Sequence, residues 1–139
     1  MQYDENDVQS LATCAYKEAR GEGVAGMDAV MAVCINRVGA PGFAKTLHDV
    51  IYGKNQFTSM SVPTDPEFHM YIDQTEPLFV IALRGARDLL AGVLKDPTNG
   101  ARWYANLKNV TSGWFWTHIV GDPKQHPITA RIGRHTFFA

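Results

Sequence analysis

Tyr16-Lys17-Glu18-Ala19-Arg20-Gly21-Glu22-Gly23 is the stretch on which the rest of the chain turns. Upstream of it, Val8, Leu11, Ala12, Ala15, Tyr16 and Ala19 recur at the i, i+3, i+4, i+7 spacing of one helix face. Asp4 or Asn6 suits the N-cap, with acids in the first turn favoured by the helix dipole. At roughly 100° per residue, Lys17 is expected to face water and Glu18 to sit at the border of the apolar stripe, near Leu11, Cys14 and Ala15. Gly21 is the expected terminator. A carboxylate at a helix end, on the edge of a core and beside a glycine turn, suits general-acid work on a glycosidic bond. The plainer reading is a surface glutamate paired with Lys17 or Arg20. Glu22 would share a face with Glu18 on a straight helix, but Gly21 breaks that register and leaves Glu22 a supporting, orienting role.

Working outward, residues 27–38 form an expected second helix, apolar nearly all round and hence central. Gly39-Ala40-Pro41-Gly42 ends it. Residues 47–52 suit a short helix stopping at Gly53, and Asn55-Gln56-Phe57-Thr58-Ser59 reads as a loop or short strand offering polar side chains. A third long helix is expected over residues 76–93, with Thr75 as cap, Pro77 near its first position and Gly85 as a weak point. Asp96-Pro97-Thr98-Asn99-Gly100 is a turn sequence. Beyond it, Trp103, Tyr104, Trp114, Phe115 and Trp116 crowd together with Asn106, Asn109 and Ser112, a mixture that fits either core or a sugar platform. Ile128, Ala130 and Ile132 alternate as in a strand. Helices first, then loops and short strands, predict an α+β domain, mainly helical, over residues 1–139.

Bulk properties narrow the function. The 139 residues suffice for one domain with a real core. A net charge of −1 argues against nucleic acid as partner. No apolar run approaches the roughly 20 residues of a membrane helix, and the acidic start is not a secretory signal. Cys14 and Cys34 lie in apolar helical patterns and read as buried free thiols. The five histidines show no His-Glu-x-x-His and no tight i, i+4 pair; His118, His126 and His135 could converge on zinc, but scattered histidines usually do not, and the leading reading needs no metal or organic cofactor. A zinc or cysteine amidase or peptidase, and a non-catalytic saccharide-binding module, are the competing readings.

Five blocks, in order along the chain, resemble the SleB/CwlJ-type cell-wall hydrolase domain. They are Tyr16 to Glu22, Cys34-Ile35-Asn36-Arg37-Val38, Gln56-Phe57-Thr58, Asp96 to Ala101 with its aromatic sequel, and Ile132 to Phe138. The resemblance implies a lysozyme-like, lytic-transglycosylase-like fold with a short β/loop lobe. It implies cleavage of the peptidoglycan glycan strand between N-acetylmuramic acid and N-acetylglucosamine, by transglycosylation or hydrolysis, with Glu18 as the single general acid. Gln56, Phe57, Thr58, Tyr104, Asn106, Trp116 and His135 are the candidates for contact with the glycan. Family members often carry a secretion signal and a wall-binding domain. A lone catalytic domain resembles phage or prophage endolysins, so a monomer held in the host cytoplasm until its release to the wall is expected, with no membrane insertion.

Overall fold

The computed structural model describes residues 2–139; Met1, where the expected domain begins, lies outside them. Helix α1 spans Glu5–Ala19. Asp4 is its N-cap, and Asp4 and Asp7 exchange backbone-to-carboxylate hydrogen bonds in a capping box. The α-helix ends at Ala19 with Arg20 as its C-cap, so Gly21 stands just past its end, as expected. A 3₁₀ turn, Arg20–Glu22, carries the chain to Gly23, whose φ of 74° makes the corner. Helix α2 therefore starts early and spans Gly23–Arg37. Nine of its residues are buried, as an almost wholly apolar helix requires.

Helix α3, Leu47–Tyr52, is capped by Thr46. The expected loop near residue 58 is instead a short helix α4, Thr58–Ser61. Helix α5 spans Pro77–Leu90. Its cap is Glu76 and not Thr75, because the longer carboxylate reaches both the Leu78 and Phe79 N–H groups. Thr75 bonds Asp73. Helices α1, α2 and α5 pack on one another, and Leu11, Cys14, Met27, Val30, Met31, Cys34 and Phe79 are buried between them. Gly85 has a packing reason: a Cβ there would meet Asp28 Oδ1 at 2.5 Å.

Three strands follow: β1 Trp103–Ala105, β2 Ile128–Ile132 and β3 His135–Phe138, ordered β1-β3-β2 and antiparallel throughout. Between β1 and β2 lie a single helical turn, α6 Gly113–Phe115, and a π-helical turn, Trp116–Val120. Phe137 buries against Ala29 and Val33 of α2, which seats the sheet on the helices. The whole is the mainly helical α+β domain expected, with its small β lobe. No helix of the described residues is long and apolar enough to cross a membrane.

Candidate active site

Glu18 sits in the last turn of α1, half-buried, facing the seam between the helices and the β lobe. Its Oε2 accepts a hydrogen bond from Ser59 Oγ at 2.7 Å, and its Oε1 accepts one from the Tyr104 hydroxyl at 3.2 Å. Both partners are neutral hydroxyls. A hydroxyl can donate to a carboxylate and accept from a carboxylic acid, so this pair can serve Glu18 in either protonation state. Burial, and then the Glu18 charge, push the Tyr104 phenol well above its ordinary value, so it stays a donor across the physiological range.

Tyr104 owes its place to α2. Asn36 Nδ2 donates to Asp96 Oδ2 at 2.8 Å and to the Ala101 carbonyl at 2.9 Å, and Arg37 Nε donates to the Arg102 carbonyl at 2.7 Å. Asp96 in turn accepts from Thr98 N, Thr98 Oγ1 and Gly100 N. Burial alone would raise the Asp96 carboxyl; the bonds from Thr98, Asn36 and Gly100 outweigh it and hold the group below its ordinary value. The Asn36-Arg37 pair and the Asp96–Gly100 turn are thus the fastening that delivers β1 to Glu18. The Tyr104 ring then stacks on Phe137 at 5.7 Å.

Glu22 is differently held. Its Oε1 is 3.0 Å from Arg134 Nε, and its Oε2 accepts from the Arg134 backbone N–H at 3.5 Å. Gly133 makes this approach possible: its φ is 59°, and a Cβ there would lie 2.5 Å from Glu22 Oε2. Lys17 does not face water. Its Nζ donates to the carbonyls of Ser59 and Phe68, and with the Arg20–Glu67 pair at 2.8 Å it fastens the segment after α4 beside Glu18. Periodicity missed this because a long side chain can turn back along its own helix.

A cavity of about 720 Å³ opens beyond Tyr104, between the α2–α3 connection, β1 and the π-helical turn. Gln56 and Tyr104 line it; Glu18 does not.

A family model described as Cell Wall Hydrolase matches residues 21–138. The chain belongs to that family. Among the relatives of this cell wall hydrolase is the spore cortex-lytic enzyme of Halalkalibacterium halodurans, 37% identical over 135 residues, which are 97% of this chain and 35% of the relative. Another is the spore cortex-lytic enzyme of Bacillus subtilis, 32% identical over 135 residues, again 97% of this chain and 38% of the relative. The crystal structure of the catalytic domain of the Bacillus cereus SleB protein is 32% identical, with a TM-score of 0.74 over 99% of this chain and 93% of that one. The catalytic domain of the germination-specific lytic transglycosylase SleB from Bacillus anthracis is also 32% identical, with a TM-score of 0.73 over 99% and 97%. The chain spans less than half the length of the curated relatives it matches, and nearly all of the solved catalytic domains. These names are of spore cortex-lytic enzymes, and the expectation of a phage lysis role finds no support among them. The family match begins at residue 21, so Glu18 lies just outside it.

The cell wall hydrolase fold brings some of the expected site residues together and separates others. His135 stands against the Tyr104 ring at 5.0 Å, with its Nδ1 buried and without a hydrogen-bond partner among the described residues. Burial holds its imidazole below the ordinary value against the pull of Glu22 and Glu18, so it is neutral near pH 7. Gln56 Oε1 accepts from Arg37 at 3.4 Å. Phe57 is a correction: it is 4% exposed in the core beneath the Arg37 guanidinium and offers no side chain to a ligand. Thr58 turns outward and bonds Asp65. Asn106 accepts from the Lys108 N–H in a turn, and Trp116 is 41% exposed; neither lines the cavity beyond Tyr104. Ser59 was missed. The helical phase of α4 points Ser59 inward and Thr58 outward, and reading the segment as a loop hid that phase.

Proposed function

We propose that this domain cleaves the glycan strand of bacterial peptidoglycan between N-acetylmuramic acid and N-acetylglucosamine as a lytic transglycosylase, with Glu18 as its one general acid. The observation that carries the reading is a half-buried carboxylate held, among the described residues, by two hydroxyls and no cation, four residues from a second carboxylate already paired with Arg134. Protonated Glu18 gives its proton to the glycosidic oxygen as the bond to C1 of the muramic acid breaks. The resulting Glu18 carboxylate takes the proton of the same sugar's 6-hydroxyl while that oxygen bonds to C1. The products are a 1,6-anhydro end and a free hydroxyl end; no water is consumed and Glu18 returns to its acid form. Ser59 and Tyr104 hold the carboxylate in place through both steps. Neutral His135 closes the site behind Tyr104.

Membership of the family and the names of its relatives support the substrate class. Digestion of purified spore cortex, with mass spectrometry of the released fragments, tests the reaction. Fragments lighter by one water than their hydrolysed counterparts are expected; fully hydrated reducing ends would mean muramidase chemistry instead. Release from vegetative sacculi as well as from cortex would favour the broader wall-lysis role. Release of stem peptides without any cut glycan would sink the reading in favour of an amidase or peptidase.

A further inference from the structure

The cavity beyond Tyr104 has a composition that the proposed cleavage step does not use. At its mouth Trp114, 62% exposed, stacks on His118 with ring centroids 5.0 Å apart and planes 16° from parallel. His118 covers one face of the indole and leaves the other free. The arrangement is locked: His118 lies in the π-helical turn, and its Nδ1 meets the Trp114 carbonyl at 3.0 Å. A carbonyl only accepts, so Nδ1 carries the proton and a neutral His118 keeps Nε2 as an acceptor. π-helical turns are often found at functional sites. Asp122 also lines the cavity; its Oδ1 accepts from the Gln125 N–H, and its Oδ2 has no partner among the described residues. The amides of Asn55 and Gln56 are further lining groups.

A free aromatic face with carboxylate and amide groups around it matches a sugar ring, which has one C–H face and a rim of hydroxyls. An acetamido group adds a donor and an acceptor for the two amides. The volume, about 720 Å³, lies inside the range of about 300–1,000 Å³ of small-ligand sites. Charge separates a sugar from a stem peptide. Arg37 is the one lysine or arginine lining the cavity among the described residues, and it is buried and bonded to the Arg102 carbonyl and Gln56. A peptide's carboxylates would find no free cation there and would face Asp122.

We propose that this cavity is a saccharide subsite for an uncharged N-acetylglucosamine unit, stacked on Trp114 and held at its hydroxyls by Asp122 and His118. The placement of that unit next along the strand from the cut bond rests on the proposed glycan cleavage. Tyr104 joins the two places, since it lines the cavity and its hydroxyl bonds Glu18.

The test uses Glu18→Gln, so that binding is read without turnover. The probe is the β-1,4-linked tetramer of N-acetylglucosamine, which carries no peptide, followed by tryptophan emission and by the indole N–H resonances. Saturable binding is expected, weakened about tenfold or more by Trp114→Ala and by Asp122→Asn, the scale of losing one good contact. Val93→Ala, on an exposed residue outside the cavity, should leave it unchanged. Trp114 is mostly exposed, so its loss should spare the fold, and circular dichroism checks this. The proposal is overturned if the tetramer does not bind the folded protein. It is overturned equally if Trp114→Ala and Asp122→Asn bind the tetramer like their parent, or if a free stem tetrapeptide shifts the Trp114 resonance and the tetramer does not. Tetramer binding alongside intact cortex glycan would retain the subsite and reject the cleavage reading, so the two fail separately.

Discussion

Glu18 and Glu22 stand on either side of the corner that joins α1 to α2, and the two sides treat the same residue type in opposite ways. On the α1 side, Glu18 meets two neutral hydroxyls, one from α4 and one from β1. On the α2 side, Glu22 meets a guanidinium and a backbone N–H at the β2–β3 turn. A carboxylate paired with a cation already has its charge and its lone pairs engaged by fixed donors. One held by hydroxyls can exchange its proton with a ligand while its partners reverse their hydrogen bonds. The lesson is that in Glu-Ala-Arg-Gly-Glu the role of each acid is set by its partners, which arrive from far along the chain, and not by its spacing.

The comparison breaks first at Glu18. Glu18→Gln retains shape and both hydroxyl contacts but cannot donate a proton to a glycosidic oxygen. A fall of about 10²-fold or more in glycan cleavage is expected, the usual scale of a general acid. Release of fragments from cortex, with thermal melting as a check on folding, measures it. A folded Glu18→Gln with full activity removes Glu18 from the chemistry.

The next largest effect lies in the fastening that delivers Tyr104. Asp96→Asn puts an N–H₂ where two oxygens now accept four hydrogen bonds, so a loss of roughly 2 kcal/mol in stability is expected near neutrality. The folded Asp96 carboxyl lies below its ordinary value, about 3.9 in the unfolded chain. Its stabilisation is therefore complete above about pH 4–5 and is lost as pH falls through the depressed folded value. The gap in melting temperature between the native protein and Asp96→Asn should narrow on acidification. A gap that stays constant down to low pH would mean that the carboxylate charge is not what holds the turn.

How legible all this was in the sequence divides along the same corner. Helices α1, α2 and α5 were readable because a buried stripe of period 3.6 is a local signal, and Asp96-Pro97-Thr98-Asn99-Gly100 was readable as a turn. The border position of Glu18 followed from the same period. Its partners did not. Ser59 and Tyr104 lie 41 and 86 residues away, and nothing in local spacing says which hydroxyl in a polar loop turns inward. Gly21 was legible as the end of α1, but the 3₁₀ turn that follows, and the early start of α2 at Gly23, were not. The aromatic segment reads equally as core or as a sugar platform, and its division into core, cavity lining and exposed rings depends on a π-helical turn that composition does not encode.

Tyr104→Phe sharpens the comparison at smaller scale. The ring stays stacked on Phe137 and only the hydroxyl is lost. Glu18 retains Ser59, so a fall of about tenfold in cleavage rate is expected, the worth of one hydrogen bond to a charged group. The initial rate on cortex at saturating substrate reports it, and no change would mean that Ser59 alone positions the acid.

The smallest expected effect is the most diagnostic for mechanism. Glu22→Gln removes the partner of Arg134; the Arg134 side chain is 69% exposed and that of Glu22 15%, and a pair open to water on its cationic side contributes about 1 kcal/mol. If Glu22 only seats the β2–β3 turn, cleavage should stay within about threefold of native, and Arg134→Ala should behave alike because it opens the same pair. If Glu22 serves as a second catalytic carboxylate, Glu22→Gln should lose activity on the scale of Glu18→Gln, while Arg134→Ala leaves that carboxylate in place and loses far less. The ratio of the two variants, measured on one cortex preparation, thus separates a one-acid mechanism, in which the substrate's own 6-hydroxyl attacks, from a two-acid mechanism with a water held by Glu22.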